Sequence, residues 1–186
     1  MVTRFLTDEP CLVHWQKDLY LLKDNVVFRR NNQIYLVPRG FITDFYSIPN
    51  WIAAPVGDSA GRDQRPALLH DFICAYHCAI GVKLTEQQLS KMGYFYEEYD
   101  ELLETKVMKC RDIPRHFLEL VPFSKLEANN ILYDCMKSLD VDRAIGIRIG
   151  VAFNFNWYWS KKDYNWNKLY KLDNHYSREG VINGRI

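Results

Sequence analysis

The sequence lacks three features that would each assign a protein class directly: an excess of one charge, a long apolar run and a regular cysteine framework. Its 186 residues carry 24 Lys and Arg against 23 Asp and Glu, for a formal net charge of +1. This balance excludes a field that would gather nucleic acid or an anionic membrane over the whole surface. Any such binding would need a local charged patch.

The other two absences concern membranes and oxidising compartments. The most apolar segment, AIGIRIGVAF at 144–153, is too short to span a bilayer and contains Arg148. The first fifteen residues contain acids and a proline where a secretory signal needs an apolar run. The five cysteines are odd in number and lack the spacing of a disulfide scaffold. We therefore expect free thiols, no membrane span and a reducing cytoplasm where the chain is made.

Aromatic residues are in excess, with twelve Tyr, ten Phe and five Trp making 15% of the chain. Residues 1 to about 60 predict strands and turns, because VVFRR and QIYLV flank Asn31-Asn32, a pair that suits a tight turn. From Pro66 to about 156 the pattern predicts helices, with Thr85 as a possible cap and Ser124 followed by Glu127 as a capping box.

The fold expected from these patterns is α+β. An N-terminal β-hairpin or small antiparallel sheet would be followed by a helical bundle, and an extended aromatic-rich tail would end the chain. We expect one domain over 1–156 and a C-terminal arm over 157–186. The last 26 residues carry six Lys and Arg against three acids.

The stretch RPALLHDFICAYHC at 65–78 holds most of the potential chemistry. On a helix, His70, Cys74 and His77 are spaced i, i+4 and i+7 and would share one face, where they could hold Zn²⁺ with a ligand from elsewhere. The same spacing is typical of side chains that face a core, and cysteine is among the most buried residue types. We expect Cys74, His77 and Cys78 to pack.

The neighbouring His70 and Asp71 point about 100° apart on a helix, so they can flank one cavity. His70 could serve as general base or metal ligand, and Asp71 could bind a cation or orient another group. A structural role, in which Asp71 caps a loop and His70 donates one core hydrogen bond, is the interpretation that these two residues favour when taken alone. The loop before this stretch contains Asp44 and Ser47, which could be aimed across a cleft at the helix.

Three segments taken in order resemble the signatures of a phage and prophage family called domain of unknown function 1353. They are VPRGFITDFYSIPNW, RPALLHDFICAY and SKLEANNILYDCMKSLDV. Family members read VPxGFxTDxASxPR, AAxxHDxLY and SRxEADxxFxxAMxxLGV. The resemblance covers roughly residues 26–150. It implies a bacteriophage protein and brings no known reaction with it.

The family's polar positions fall on Asp44, Ser47, His70 and Asp71, and its further acidic position falls on Asn129. The resemblance thus implies a site in which Asp44, His70 and Asp71 could hold a divalent cation, Zn²⁺ or Ca²⁺, with Ser47 and Asn129 lining it. An amide at 129 would coordinate such an ion more weakly than a carboxylate. Residues 79–123 form a longer connection than is usual in the family, and the tail lies outside the match.

Two functions follow as expectations. The first is a virion component of the tail, connector or baseplate, or an assembly factor, that carries an inherited Asp-His-Asp polar site. The second is a metal- or His-dependent hydrolase that acts on the host envelope or another infection substrate. The expected partners are other phage structural proteins, and a homo-oligomer is also possible. Binding of nucleic acid by the tail is the least favoured alternative. The residues expected to contact a partner are Trp157, Trp159, Tyr164, Trp166 and Tyr170.

Overall fold

The computed structural model describes residues 3–8, 11–16, 19–43, 64–101 and 103–139. Within them lie ten strands, three α-helices and one turn of 3-10 helix at Arg115–Phe117. The strands are β1 (Thr3–Phe5), β2 (Leu12–Gln16), β3 (Leu19–Leu22), β4 (Val26–Arg30), β5 (Gln33–Val37), β6 (Ile42–Thr43), β7 (Cys78–Val82), β8 (Phe95–Asp100), β9 (Thr105–Cys110) and β10 (Leu118–Pro122). The helices are α1 (Gln64–Tyr76), α2 (Glu86–Lys91) and α3 (Lys125–Ser138).

The strands form three antiparallel sheets. The largest has five strands in the order β1-β4-β5-β7-β10, the second has the order β2-β3-β6, and β8 pairs with β9 in the third. The predicted hairpin is confirmed, since β4 and β5 pair from Arg30 opposite Gln33. Asn31 between them adopts a φ of 56°, which asparagine tolerates better than most residues.

Helices α1 and α3 pack on each other, α1 lies against β5, β6 and β7, and α3 lies against β1. The predicted N-caps of α2 and α3 are confirmed. Thr85 and Gln88 form a capping box at α2, and Ser124 and Glu127 form one at α3. Each box satisfies backbone N–H groups that a helix start leaves without an intrahelical partner.

The predicted fold, a small N-terminal sheet followed by a helical bundle from residue 66 onward, is wrong, because the described residues form three antiparallel sheets with only three short helices. Between α1 and α3 the described residues contain only the six-residue helix α2 and one 3-10 turn, and the rest consists of four strands and their connections. The segment CAIGV, predicted to be part of a helical region, is the fully buried strand β7, which lies between β5 and β10 in the large sheet. A short apolar run fits a buried strand as well as a buried helix, so periodicity could not separate the two.

The core lies between the large sheet and the pair α1 and α3. From α1 it takes Leu68, Leu69, Phe72 and Ile73, all fully buried. Strands β4, β5 and β7 and helix α3 supply most of the other members of this cluster. In the part of the chain that the structure describes, no helix has the length and apolar character needed to cross a membrane.

Asn25 joins three segments just ahead of β4. Its side-chain amide donates to the Cys110 carbonyl oxygen at 3.2 Å and to Asp112 Oδ1 at 3.1 Å. Its Oδ1 accepts from the Arg39 backbone N–H at 2.8 Å. The residue is 4% exposed, so each of these bonds replaces one that water would otherwise supply.

We expect Asn25→Ala to lower the free energy of unfolding by about 2 kcal/mol, because it leaves buried polar groups without partners. Urea unfolding followed by circular dichroism measures the change. Gln87→Ala, at an exposed position of α2, is the control and should stay within about 0.5 kcal/mol of the parent. Equal effects of the two substitutions would contradict the role given to Asn25.

Candidate functional site

The candidate site begins on α1, where His70 and Asp71 lie on adjacent sides of the helix. They are 3% and 6% exposed, so both side chains lie inside the fold. Pro66 lies in the first turn of α1, where a missing N–H costs nothing. The two side chains reach different neighbours, His70 toward α3 and Asp71 toward β6.

His70 is hydrogen bonded to Asn129 of α3. The Nε2 atom lies 3.1 Å from Asn129 Oδ1, and Asn129 is itself 6% exposed. Because an amide oxygen can only accept, Nε2 carries the proton of the neutral ring and donates it. The second and third family motifs therefore meet in space through these two side chains.

Asp71 is bound by the residue that precedes Asp44 in the sequence. Thr43 Oγ1 donates to Asp71 Oδ2 at 2.6 Å, and both side chains are buried. Thr43 ends β6, which pairs with β3, so the small sheet holds the hydroxyl in place. The contact between Thr43 and Asp71 links the first motif to the second. The contact between His70 and Asn129 links the second motif to the third.

Cys74 lies one turn after His70 on the same helix. Its Sγ is 3.5 Å from Nε2 and 3.8 Å from Nδ1 of the imidazole ring. Burial raises the pKa of the Cys74 thiol to about 12, with the Asp71 charge adding to the effect and Lys125 opposing it. The thiol therefore stays protonated at neutral pH and does not form a reactive thiolate with His70.

Burial lowers the pKa of His70 to about 4, and the Lys125 charge adds to that effect while the Asn129 contact opposes it. The imidazole is thus neutral at physiological pH. A general base works best with a pKa near the operating pH, whereas this ring takes up a proton only in strong acid. Its established contacts are those of a buried hydrogen-bonding group.

His77 does not share the face that the i, i+7 spacing predicted. Helix α1 ends at Tyr76, and His77 turns the chain with a φ of 56° while its N–H donates to the Ile73 carbonyl oxygen at 2.7 Å. His77 and Cys78 are buried, as predicted, and Cys74 is partly buried. Across the described ranges, no three His, Cys, Asp or Glu side chains come together as metal ligands.

Several predicted site residues lie outside the described residues. They include Asp44 and Ser47 of the first motif, so the proposed meeting of Asp44 with His70 and Asp71 stays a prediction. The same holds for the aromatic tail residues Trp157, Trp159, Tyr164, Trp166 and Tyr170. Of the five predicted lining positions, His70, Asp71 and Asn129 are described, and all three are buried.

The lowered pKa of His70 predicts acid sensitivity. The unfolded chain takes up a proton near the ordinary histidine pKa of about 6.5, whereas the folded chain does so near 4. Stability from the neutral ring is therefore complete above pH 6.5 and is lost as the pH falls toward 4. We expect this ring to contribute a loss of about 2 kcal/mol between pH 7.5 and pH 5 in urea unfolding.

The matched variant is His70→Gln, which keeps a polar side chain but removes the titration. Its loss of stability between the same two pH values should be smaller than that of the parent by about 2 kcal/mol. An identical loss in parent and variant would show that other groups cause the acid sensitivity.

Two residues of this site were missed from the sequence. Thr43 stands at the Thr of the family pattern GFxTD, which was the available signal for a partner of Asp71. Lys125 stands where the family pattern SRxEAD has Arg, and its charge lowers the pKa of His70. A basic residue at that position was the signal that a positive charge lies beside the imidazole.

Comparisons with known proteins agree with the family resemblance of the three motifs. A family model described as protein of unknown function (DUF1353) matches residues 20–147. No curated protein and no solved structure matches the chain. The matched segment is more than half of the 186 residues and contains all three motifs. The chain is therefore a member of the DUF1353 family.

Proposed function

We propose that this protein is a phage-encoded virion or assembly component, in which the inherited polar site ties the fold together. The observation that carries the proposal is the 3.1 Å hydrogen bond from His70 to Asn129, made inside the core between α1 and α3. It joins a neutral ring to an amide, whereas the family pattern has a carboxylate at this position. The amide removes the charge that would hold a cation or stabilise an imidazolium.

The chemistry of the neighbouring groups supports the same role. The Asp71 carboxylate accepts the Thr43 hydroxyl, so it links β6 to α1. The Cys74 thiol has a pKa raised to about 12 and is a poor nucleophile at neutral pH. Each of these three side chains of α1 therefore has a packing or linking role in the described part of the fold.

The phage assignment rests on the resemblance of the three motifs to the phage and prophage family. On this proposal the chain is made in the host cytoplasm and becomes part of the virion or helps to assemble it. Its partners are other phage structural proteins or further copies of itself. The aromatic and basic residues of 157–186 supply the contact surface, because aromatic residues are enriched at protein interfaces.

The experiment is a phage preparation in which the gene for this chain carries an epitope tag. We expect the tagged chain to co-purify with intact particles through a density gradient, and a deletion to yield particles that are fewer or incomplete. A chain that functions in assembly without staying in the particle gives the second result without the first. Two results together would contradict the proposal. The deletion strain would yield normal particles, and the particles of the tagged strain would not contain the chain.

A hydrolase is the second candidate, and one observation favours it. Because Thr43 contacts Asp71 and directly precedes Asp44 in the sequence, the first motif approaches α1. A carboxylate beside this pair could complete a site for Zn²⁺ or Ca²⁺ that activates water for attack on an envelope substrate.

Elemental analysis of the purified chain separates the two candidates. The hydrolase predicts a stoichiometric metal that is lost in both Asp44→Asn and His70→Ala. The structural role predicts no stoichiometric metal in the parent and lower stability in His70→Ala. Asn129→Asp adds a sharp comparison, because a metal that binds only this variant would mean that the present chain has lost an ancestral site.

A further inference from the structure

A concave surface lies between the large sheet and α2, and none of the His70 site residues lines it. It has a volume of about 730 Å³, within the range of roughly 300–1,000 Å³ that is usual for small-ligand pockets. Nothing in the family motifs points to it, since its residues come from β1, the β4–β5 hairpin and 85–91. The lining residues are Arg4, Arg29, Asn32, Ile34, Thr85, Glu86, Gln87, Ser90 and Lys91.

Two arginines stand side by side on this surface. Arg4 of β1 pairs directly with Arg29 of β4 in the antiparallel register, so the two side chains project from the same face. Arg30 binds Asp134 of α3, and successive residues of a strand point to opposite faces. The two arginines therefore lie on the face of the sheet away from α3.

Like charges directly opposite each other in a strand pair repel, so this arrangement needs an anion between the two guanidinium groups. Glu86 supplies one. Arg4 Nη2 lies 2.6 Å from Oε1 and 2.8 Å from Oε2 of Glu86, and Arg29 Nη1 lies 3.1 Å from Oε2. One carboxylate is thus held by two guanidinium groups, which is the geometry that oxyanion recognition uses.

Glu86 does not neutralise the pocket. With Lys91 included, three cations face one carboxylate, which leaves a net charge of two positive units. Arg29 Nε is buried and has no hydrogen-bond acceptor among the residues that the structure describes. The two arginines and Lys91 therefore keep positive charge that Glu86 does not balance.

We propose that this pocket binds the phosphate group of a small phosphate monoester. A monoester carries a charge of about −1.5 to −2 at pH 7, which matches the excess of the pocket, whereas a carboxylate or a phosphodiester would leave half of it. Arg4 and Arg29 provide bidentate donors and Lys91 a point charge. Asn32, Gln87 and Ser90 also line the pocket and carry amide and hydroxyl groups. Glu86 keeps the two guanidinium groups oriented and competes with the ligand for them.

Isothermal titration of the full chain with inorganic phosphate tests this site, with glycerol phosphate and a nucleoside monophosphate as further arms. We expect all three to bind, and the tightest of them identifies the organic part of the ligand. Arg29→Gln should weaken phosphate binding about tenfold or more, since it removes one of the two charged donors. Glu86→Gln should tighten it several-fold, because it removes the competing carboxylate.

Arg39→Gln is the matched control, because Arg39 is an exposed, ion-paired arginine that is not part of the pocket. It should leave phosphate affinity unchanged. Dimethyl phosphate, a monoanion, should bind more weakly than inorganic phosphate at pH 7.5. Absence of phosphate binding to the parent chain, or equal effects of Arg29→Gln and Arg39→Gln, would overturn the proposal. So would a single-stranded oligonucleotide without a terminal phosphate that binds through Arg29 more tightly than any monoester.

Discussion

Phe72→Ala is expected to lower the free energy of unfolding by about 3–5 kcal/mol, the usual range for removing a fully buried aromatic ring. Phe72 is fully buried on α1, and its ring centroid lies 5.1 Å from that of Phe41 and 4.9 Å from that of Tyr76. Phe41 immediately precedes β6, so this ring contact holds β6 against the helix that carries Asp71. Urea unfolding measures the change.

Two variants serve as controls for that result. Phe72→Leu keeps most of the apolar volume and should cost much less than Phe72→Ala. Tyr99→Ala removes an aromatic ring that is 61% exposed on β8, and it should change stability by about 0.5 kcal/mol or less. A Phe72→Ala variant as stable as Tyr99→Ala would contradict the packing of α1 on the sheet.

Asn129→Ala is expected to lower the free energy of unfolding by about 3 kcal/mol, which is the second large effect. The substitution removes the acceptor of the His70 Nε2–H and leaves a buried donor unsatisfied, together with a small cavity between α1 and α3. Calorimetric and urea unfolding should both detect the loss. Leu126→Ala on the same helix is the matched control, since Leu126 is 69% exposed and should contribute little.

A double-mutant cycle isolates the contact itself. If His70 and Asn129 act as a pair, His70→Ala and Asn129→Ala together should cost less than their separate effects combined, with a coupling of about 1–2 kcal/mol. Additive effects would mean that each residue acts through other neighbours. The tie between the two helices would then have to be assigned elsewhere.

Local sequence patterns predicted the local features correctly. The hairpin around Asn31-Asn32 and the caps at Thr85 and Ser124 each depend on a few adjacent residues, and all three are present. The prediction of a helical bundle was wrong because strands of the region 78–122 pair with distant partners. Strand β7 pairs with both β5 and β10, and its apolar run reveals no partner. The strands β8 and β9 alternate only weakly, because only two of their twelve residues are buried.

Sequence patterns singled out residues of the candidate site but not their partners, and the reason is again the range of the contacts. His70, Asp71 and Asn129 were identified by resemblance to the family motifs, and all three are buried polar residues of the described fold. Their partners could not be derived from spacing, since 59 positions separate His70 from Asn129 and 28 separate Thr43 from Asp71. His77 was predicted from its spacing to share a helix face with His70 and Cys74. That prediction was wrong because the helix ends at Tyr76, one residue earlier.

The account depends most on the state of one imidazole ring. Nuclear magnetic resonance of the five histidines, with His70 assigned by its absence in His70→Gln, reports that state directly. We predict that the His70 ring stays neutral from pH 8 to pH 5, titrates with a pKa of about 4, and does not shift when Zn²⁺ or Ca²⁺ is added. A midpoint at or above the ordinary value of about 6.5, or a shift on adding either metal, would contradict the structural role and favour the hydrolase.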